Sequence, residues 1–259
     1  MRAAWLTAGA VVTIIALTVS TVLLARGFAR ARPPVDTTHR SIPFAEDDVT
    51  IEAGKGPVSV RVTAGRAGEL LVTRRLEWLS GERPGISEEW EAGTGTLRLD
   101  ATCSGVEDPI VASCRADYMV SVPPETDVEA STTGGRLDVS VVFGDVRLSS
   151  VSGSIEMQGV SGAVWARTGT GDIMADRLDG ETADVEVGSG YVHMSFVNPP
   201  TTVRAVVRTA GGVTLNLPSS RYDVSVEAAE STLSVLNDSR SPRKVTAKAP
   251  DGFVSLCCE

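Results

Sequence analysis

Two pairs of residues 18 positions apart are the candidates for chemistry in this 259-residue chain. Asp138 and Glu156 form one; Arg147 and Trp165 form the other, with Arg167 two positions beyond the tryptophan. On a repeat with 18-residue coils, such pairs stack on neighbouring rungs about 4.8 Å apart. Two carboxylates that close could raise one pKa for general-acid work, as glycosidases require. A solvent-facing tryptophan flanked by arginines could anchor a protein or stack on a sugar ring. Both pairs also have plain structural readings. Surface carboxylates usually splay into solvent, and an exposed ring can pack under a loop or shield an arginine by a cation–π contact.

Other reactive groups are scarce. There are two histidines, His39 and His193, and four cysteines. A His-dependent enzyme or a His/Cys zinc site starts with little material. No catalytic residue, metal or cofactor is therefore assigned, and the chain is expected not to be an enzyme. Cys103 and Cys114 bracket a ten-residue loop between TLRLDATC and CRADYMVSV. That spacing suits a disulfide across a hairpin, which persists in oxidising compartments; two buried free thiols are the other reading. The adjacent Cys257 and Cys258 bond to each other only with strain, which leaves another chain or a distant thiol as partner. Asn237-Asp238-Ser239 has the spacing of a glycosylation acceptor, which carries no meaning if the chain is bacterial. The formal net charge of −9 argues against nucleic acid.

The elements that would position these residues are strands. Aromatic residues make up only 5% of the chain and there are 25 glycines, the profile of short strands and tight turns. Gly135, Gly144, Gly153, Gly162, Gly171 and Gly180 recur every nine residues, and the first five open GRLDV, GDVRL, GSIEM, GAVWA and GDIMA. The sixth slips by one, and the pattern resumes as GYVHMSF, GVTLNL and GFVSL. Alternation turns Leu137, Val139, Val146, Leu148, Ile155, Met157, Val164, Ala166 and Ile173 inward. The glycines are expected to supply positive φ in four-residue turns. The constant period favours a β-solenoid of two units per coil over an antiparallel meander. A nonapeptide period also suggests calcium, but the full GGxGxDxUx pattern is absent, with only Asp145 and Asp172 directly following single glycines.

Residues 47–131 are less regular and read as an N-terminal β cap on the repeat region, 132–259, the two together making one domain. DDVTIEAGKGPVSVRV and ELLVTRRLEWL read as strands, 79–88 as a polar loop, and SEEWEAGTGTLRLD as a hairpin. Trp78 and Trp90 are expected to close the cap's small core.

Before that domain lie a short tail (1–4), an apolar segment (5–25) and a linker (26–46). Residues 5–25 carry no charge, and 21 helical residues span about 30 Å, the thickness of a bilayer's hydrocarbon core. An uncleaved, single-pass transmembrane helix is expected, and a cleaved signal peptide is the alternative. Arg26, Arg30 and Arg32 after the segment, against Arg2 before it, favour a cytoplasmic C-terminal part. The cysteine pair favours an extracytoplasmic one, and we take the cysteines as decisive. Residues 1–40 hold 5 Lys/Arg and 1 Asp/Glu of the chain's 24 and 33, so residues 41–259 hold 19 and 32, a net of −13. Such a domain is soluble and avoids anionic polymers.

The succession VTIEAGKGPVSVRV, LLVTRRLEW, SEEWEAGTGTLRLDATC, CRADYMVSVPPETDV, the Gly-x-Φ-x-Φ units and VTLNLP resembles a bacterial β-strand-repeat family of unknown function labelled "putative adhesin". Actinobacterial members look especially similar, with an N-terminal anchor and a paired cysteine before a Y-x-V-x-VP strand. The resemblance covers roughly residues 47–256. It implies a β-solenoid-like envelope protein that serves as adhesin or scaffold for an envelope protein or glycan. Links of some relatives to envelope stress imply a sensor or regulator as the alternative. A carbohydrate-active enzyme on the Asp138/Glu156 row is the distant third reading. Trp165, Arg147 and Arg167 are the candidate interaction surface.

Overall fold

The computed structural model describes residues 13–24, 33–78, 83–103 and 114–258. A helix, α1 (13–24), precedes an all-β domain. The domain opens with β1 (Val35–Pro43), β2 (Asp48–Ala53), β3 (Val58–Ala64), β4 (Glu69–Trp78), β5 (Gly85–Glu91), β6 (Thr96–Thr102) and β7 (Cys114–Val122). It continues through β8 (Asp127–Thr132), β9 (Leu137–Ser140), β10 (Val146–Ser150), β11 (Ile155–Gln158), β12 (Val164–Thr170) and β13 (Ile173–Leu178). The last strands are β14 (Thr182–Phe196), β15 (Thr202–Val207), β16 (Gly211–Leu217), β17 (Arg221–Leu233), β18 (Leu236–Asn237) and β19 (Lys244–Cys258).

Parallel pairing decides between solenoid and meander. Val146 on β10 pairs with Val128 on β8 and with Val164 on β12, 18 residues away on either side. Ile155 on β11 does the same with Leu137 and Ile173. Each coil thus contributes one strand to each of two stacks. Sheet one runs β5-β6-β2-β8-β10-β12-β14-β15-β19-β17. Sheet two runs β1-β4-β7-β3-β9-β11-β13-β14-β16-β19-β17. The long strands β14, β17 and β19 bend from one sheet into the other. The slip at the sixth glycine lengthens the coil, since Val164 pairs with Ala183 and Ala183 with Val203. Alternation then buries one side chain in two; the predicted inward residues are all in the core.

The glycine expectation needs correcting. Positive φ occurs at Gly171 and Gly190 but not at Gly135, Gly144, Gly153, Gly162 or Gly180. The period reflects close approach between rungs instead. A Cβ added at Gly153 would lie 2.1 Å from the carbonyl oxygen of Gly135, and one at Gly171 would lie 2.7 Å from that of Gly153. The column continues through Gly190, Gly211 and Gly252, each tight against the glycine before it. At the other corner Gly162 and Gly180 stack on Gly144 and Gly162, with 2.1 Å for either added Cβ. Asp145 and Asp172, which follow glycines, and Asp127, which follows Thr126, tie these corners together. Asp127 Oδ1 accepts the Asp145 N–H at 2.7 Å, Asp145 Oδ1 the Ala163 N–H at 2.7 Å, and Asp172 Oδ1 the Tyr191 N–H at 2.9 Å. Among the described residues no three His, Cys, Asp or Glu side chains converge on a metal position.

Chain order and rung order differ at both ends. The β2/β3 coil lies between β6/β7 and β8/β9, so regular coiling begins inside the expected cap. At the far end β19 inserts between β15/β16 and β17. This skipped rung explains the wide spacing of the last glycine repeats. The antiparallel strands β1, β4 and β5 cover the first coils. There the Phe44 and Trp90 ring centres are 6.1 Å apart, and Trp78 and Trp90 pack against the core as expected. Arg74 and Tyr118 are buried beneath the cap, Glu88 receiving hydrogen bonds from Arg74 Nη1 at 2.5 Å and Tyr118 Oη at 3.1 Å.

Three further expectations change. Residues 35–43, read as linker, form edge strand β1 along β4; only Ile42 is buried, so polar side chains hid the alternation. Strand β5 begins at Gly85, within the expected 79–88 loop. Strands β6 and β7 do not form a hairpin: β6 pairs with β2 and β5, β7 with β3 and β4. The Cys103–Cys114 disulfide is present, with Cα atoms 5.8 Å apart, and it joins sheet one to sheet two. Among the described residues no helix is long and apolar enough to cross a membrane. Residues 5–12 and 25 of the expected anchor lie outside the described residues.

Candidate interaction surface

Sheet one positions the tryptophan. Because Val164 and Ala166 turn into the core, Trp165 and Arg167 turn outward on β12. Successive rungs then place Thr50, Glu129, Arg147, Trp165, Asp184 and Arg204 in one outward column. The neighbouring column holds Ser149, Arg167 and Glu186. The guanidinium carbons of Arg147 and Arg167 each lie 4.6 Å from the Trp165 ring centre. Trp165 thus makes the cation–π contact foreseen as its structural role, with both predicted arginines.

A mixed-charge network continues along the stack. Arg167 Nη2 is 2.8 Å from Asp184 Oδ2, and Arg167 Nη1 donates to the Asp184 carbonyl at 2.8 Å. Arg204 pairs with Asp184 at 2.9 Å and with Glu186 at 3.1 Å, and Arg208 closes on Glu186. Burial by itself would raise the pKa values of Asp184 and Glu186. Hydrogen bonds from Arg167 and Arg204 to Asp184, and from Arg204 and Arg208 to Glu186, outweigh it and hold both carboxyls below their usual range. The stability they contribute is therefore present above the ordinary carboxylate range and lost as pH falls through the lowered values. Asp184, Glu186, Arg204 and Arg208 were not singled out from the sequence. Following the 18-residue columns past Trp165 and Arg167, with allowance for the longer coils, would have reached Asp184, Arg204 and Glu186, but not Arg208.

A groove of about 500 Å³ runs beside Trp165 along the leading ends of the sheet-one strands. It is lined by Asp48, Asp127 and Asp145 and, in the outward column two positions further along the strands, by Glu129, Arg147, Trp165 and Arg204. Such a groove can take an extended ligand with an apolar contact at Trp165 and polar contacts along its length.

The carboxylate pair stands on sheet two. Asp138 and Glu156 are register neighbours on β9 and β11, with Met174 and His193 following in the same row. Each carboxylate faces its own arginine: Arg61 lies 2.9 Å from Asp138 and Arg136 lies 3.1 Å from Glu156. His193 Nε2 is 3.8 Å from Asp176. Cys257 is a free thiol whose Sγ donates to Asn216 Oδ1 at 2.8 Å.

No curated protein matches the chain. Among solved structures, one from Clostridium sporogenes described as a "putative cell adhesion protein" is similar at 10% identity and a TM-score of 0.40, covering 88% of this chain and 100% of its own. A "putative adhesin" from Bacteroides fragilis is similar at 10% identity and a TM-score of 0.44, covering 87% of this chain and 99% of its own. The Toastrack DUF4097 family model matches residues 38–237, most of the β domain just described, and the chain belongs to that family.

Proposed function

We propose that this protein is a membrane-anchored, extracytoplasmic interaction protein, an adhesin or scaffold that presents the face of a rigid β-solenoid and performs no catalysis. One observation carries the reading: Trp165, braced by Arg147 and Arg167, forms the wall of the sheet-one groove. A ring held at low conformational cost, beside a groove with polar rims, is what a binding hot spot requires. The partner is another envelope component, protein or glycan. The individual pairing of Asp138 and Glu156 with arginines supports a structural role for that row. The uncharged run 5–25 supports the anchor, and the Cys103–Cys114 bridge supports an oxidising compartment. The anchor and the cysteine pair are also the features by which the chain resembles actinobacterial family members.

The test is retention of the full-length protein, in detergent, on purified envelope fragments from its host. We expect Trp165→Ala to weaken retention by about tenfold, as removal of a central aromatic anchor does. Equal retention of Trp165→Ala and the parent would overturn the assignment of this face. Hydrolysis of an envelope glycan that disappears in Glu156→Gln would overturn the non-catalytic reading.

A further inference from the structure

Sheet two carries a second exposed aromatic feature, outside the Trp165 face. Tyr191 on β14 and Phe253 on β19 flank β16, with ring centres 6.2 Å apart and planes inclined by 39°. Their register partner between them is Gly212. A Cβ at Gly212 would lie 2.4 Å from Phe253 Cε1, so the phenyl ring lies over the bare strand. Covering a glycine is a structural use for one ring, yet Phe253 remains 40% exposed and Tyr191 54% exposed. The Tyr191 backbone is held by Asp172 through its N–H. The outward positions around the rings carry His193, Thr214 and Ser255, with Asn216 one step further on β16. Residues 190–196, 211–217 and 251–258 contain no lysine or arginine.

We propose that Tyr191 and Phe253 form a stacking platform for an uncharged oligosaccharide. The apolar C–H face of a pyranose ring packs against an aromatic face, while its rim of hydroxyl groups needs hydrogen-bond partners. Both requirements meet here: two rings fixed on rigid strands, with hydroxyl, amide and imidazole groups around them and the carboxylates of Glu230 and Asp172 beside Phe253 and Tyr191 as further acceptors for sugar hydroxyls. Anionic lipid and nucleic acid need clustered cations, and these three segments have none. The platform lies on the sheet opposite Trp165, so it is a second contact and not a restatement of the first.

The experiment is a calorimetric titration of the full-length protein, in a sugar-free zwitterionic detergent, with chitotetraose and with cellotetraose. Saturable binding of at least one is expected. Phe253→Leu keeps apolar bulk over Gly212 and Tyr191→Leu keeps it on the neighbouring strand, but both remove the π face; each should weaken binding by about fivefold, the value of one aromatic contact. Their melting temperatures should stay near the parent's, and Trp165→Ala should bind the sugars normally. No saturable binding to either oligosaccharide overturns the proposal, as does equal binding by the leucine variants. Retention on phosphatidylcholine vesicles that is lost in the same variants would overturn it in favour of a membrane contact. Failure of the Trp165 face shows separately, in the envelope-retention measurement.

Discussion

Arg147 and Trp165, 18 residues apart in sequence, meet on adjacent rungs with the guanidinium carbon 4.6 Å from the ring centre. The contact ties coil to coil through side chains, on a sheet whose backbone ladder already does so. A double-mutant cycle on Arg147→Ala and Trp165→Leu, read by urea unfolding, should give a coupling of about 0.5–1 kcal/mol. Additive effects would show that the two side chains are neighbours without interaction.

The glycine columns predict a sharp contrast between two neighbouring types of glycine. Gly153→Ala drives a Cβ to 2.1 Å from a backbone oxygen of the preceding rung, and that rung cannot move without disturbing its own neighbours. The expected loss is about 2–3 kcal/mol. Gly134→Ala meets only the Ser152 hydroxyl at 3.5 Å and should be neutral within about 0.5 kcal/mol. Equal denaturation midpoints for the two variants would contradict a close-approach role for the repeat.

Tyr118 sets an alkaline limit. Burial, and then the neighbouring Glu88 carboxylate, push its hydroxyl pKa above the ordinary value of 10.0. The folded protein keeps a proton that the unfolded chain releases, so stability declines as pH rises past about 10. Tyr222, pushed up by burial, adds to the same decline. In Tyr118→Phe the urea midpoint should fall less steeply between about pH 9 and 11 than in the parent. Parallel slopes would rule out a buried, proton-holding Tyr118.

Insertion of β19 predicts strict dependence on the C-terminus. Val203 on β15 and Val224 on β17 both pair with Val245, so removing residues 244–259 leaves an empty rung between two unsatisfied strand edges. The truncated protein should aggregate, and added peptide 244–258 should restore a soluble form. A truncated protein that stays monomeric and melts like the parent would contradict this topology.

Several of these features were legible in the sequence. The nine-residue glycine spacing, with apolar residues at fixed offsets, located strands β9 to β13 and placed Asp138 beside Glu156 and Arg147 beside Trp165. That worked because an 18-residue coil converts sequence distance into spatial neighbours. Strand β1 was hidden because an edge strand with one buried residue, Ile42, has no alternation to detect. The hairpin expected around Cys103 and Cys114 failed because two strands joined by a short loop can lie in facing sheets as well as side by side. The displaced β2 and β19 coils had no local signal, since parallel pairing partners far apart in sequence look like any others. Tyr191 and Phe253 are 62 positions apart by number and meet only because β17 is skipped.

The proposed interaction role requires the β domain to be extracytoplasmic, and its lysines offer a direct measurement. The chain has three, Lys55, Lys244 and Lys248, all in the β domain, and Lys55 and Lys244 are exposed. Treating intact cells with a membrane-impermeant amine-reactive biotin should label all or part of this set, with Lys55 modified as fully as after permeabilisation. Labelling of the lysines only in permeabilised cells would place the domain inside, and the extracytoplasmic interaction role would fall with it.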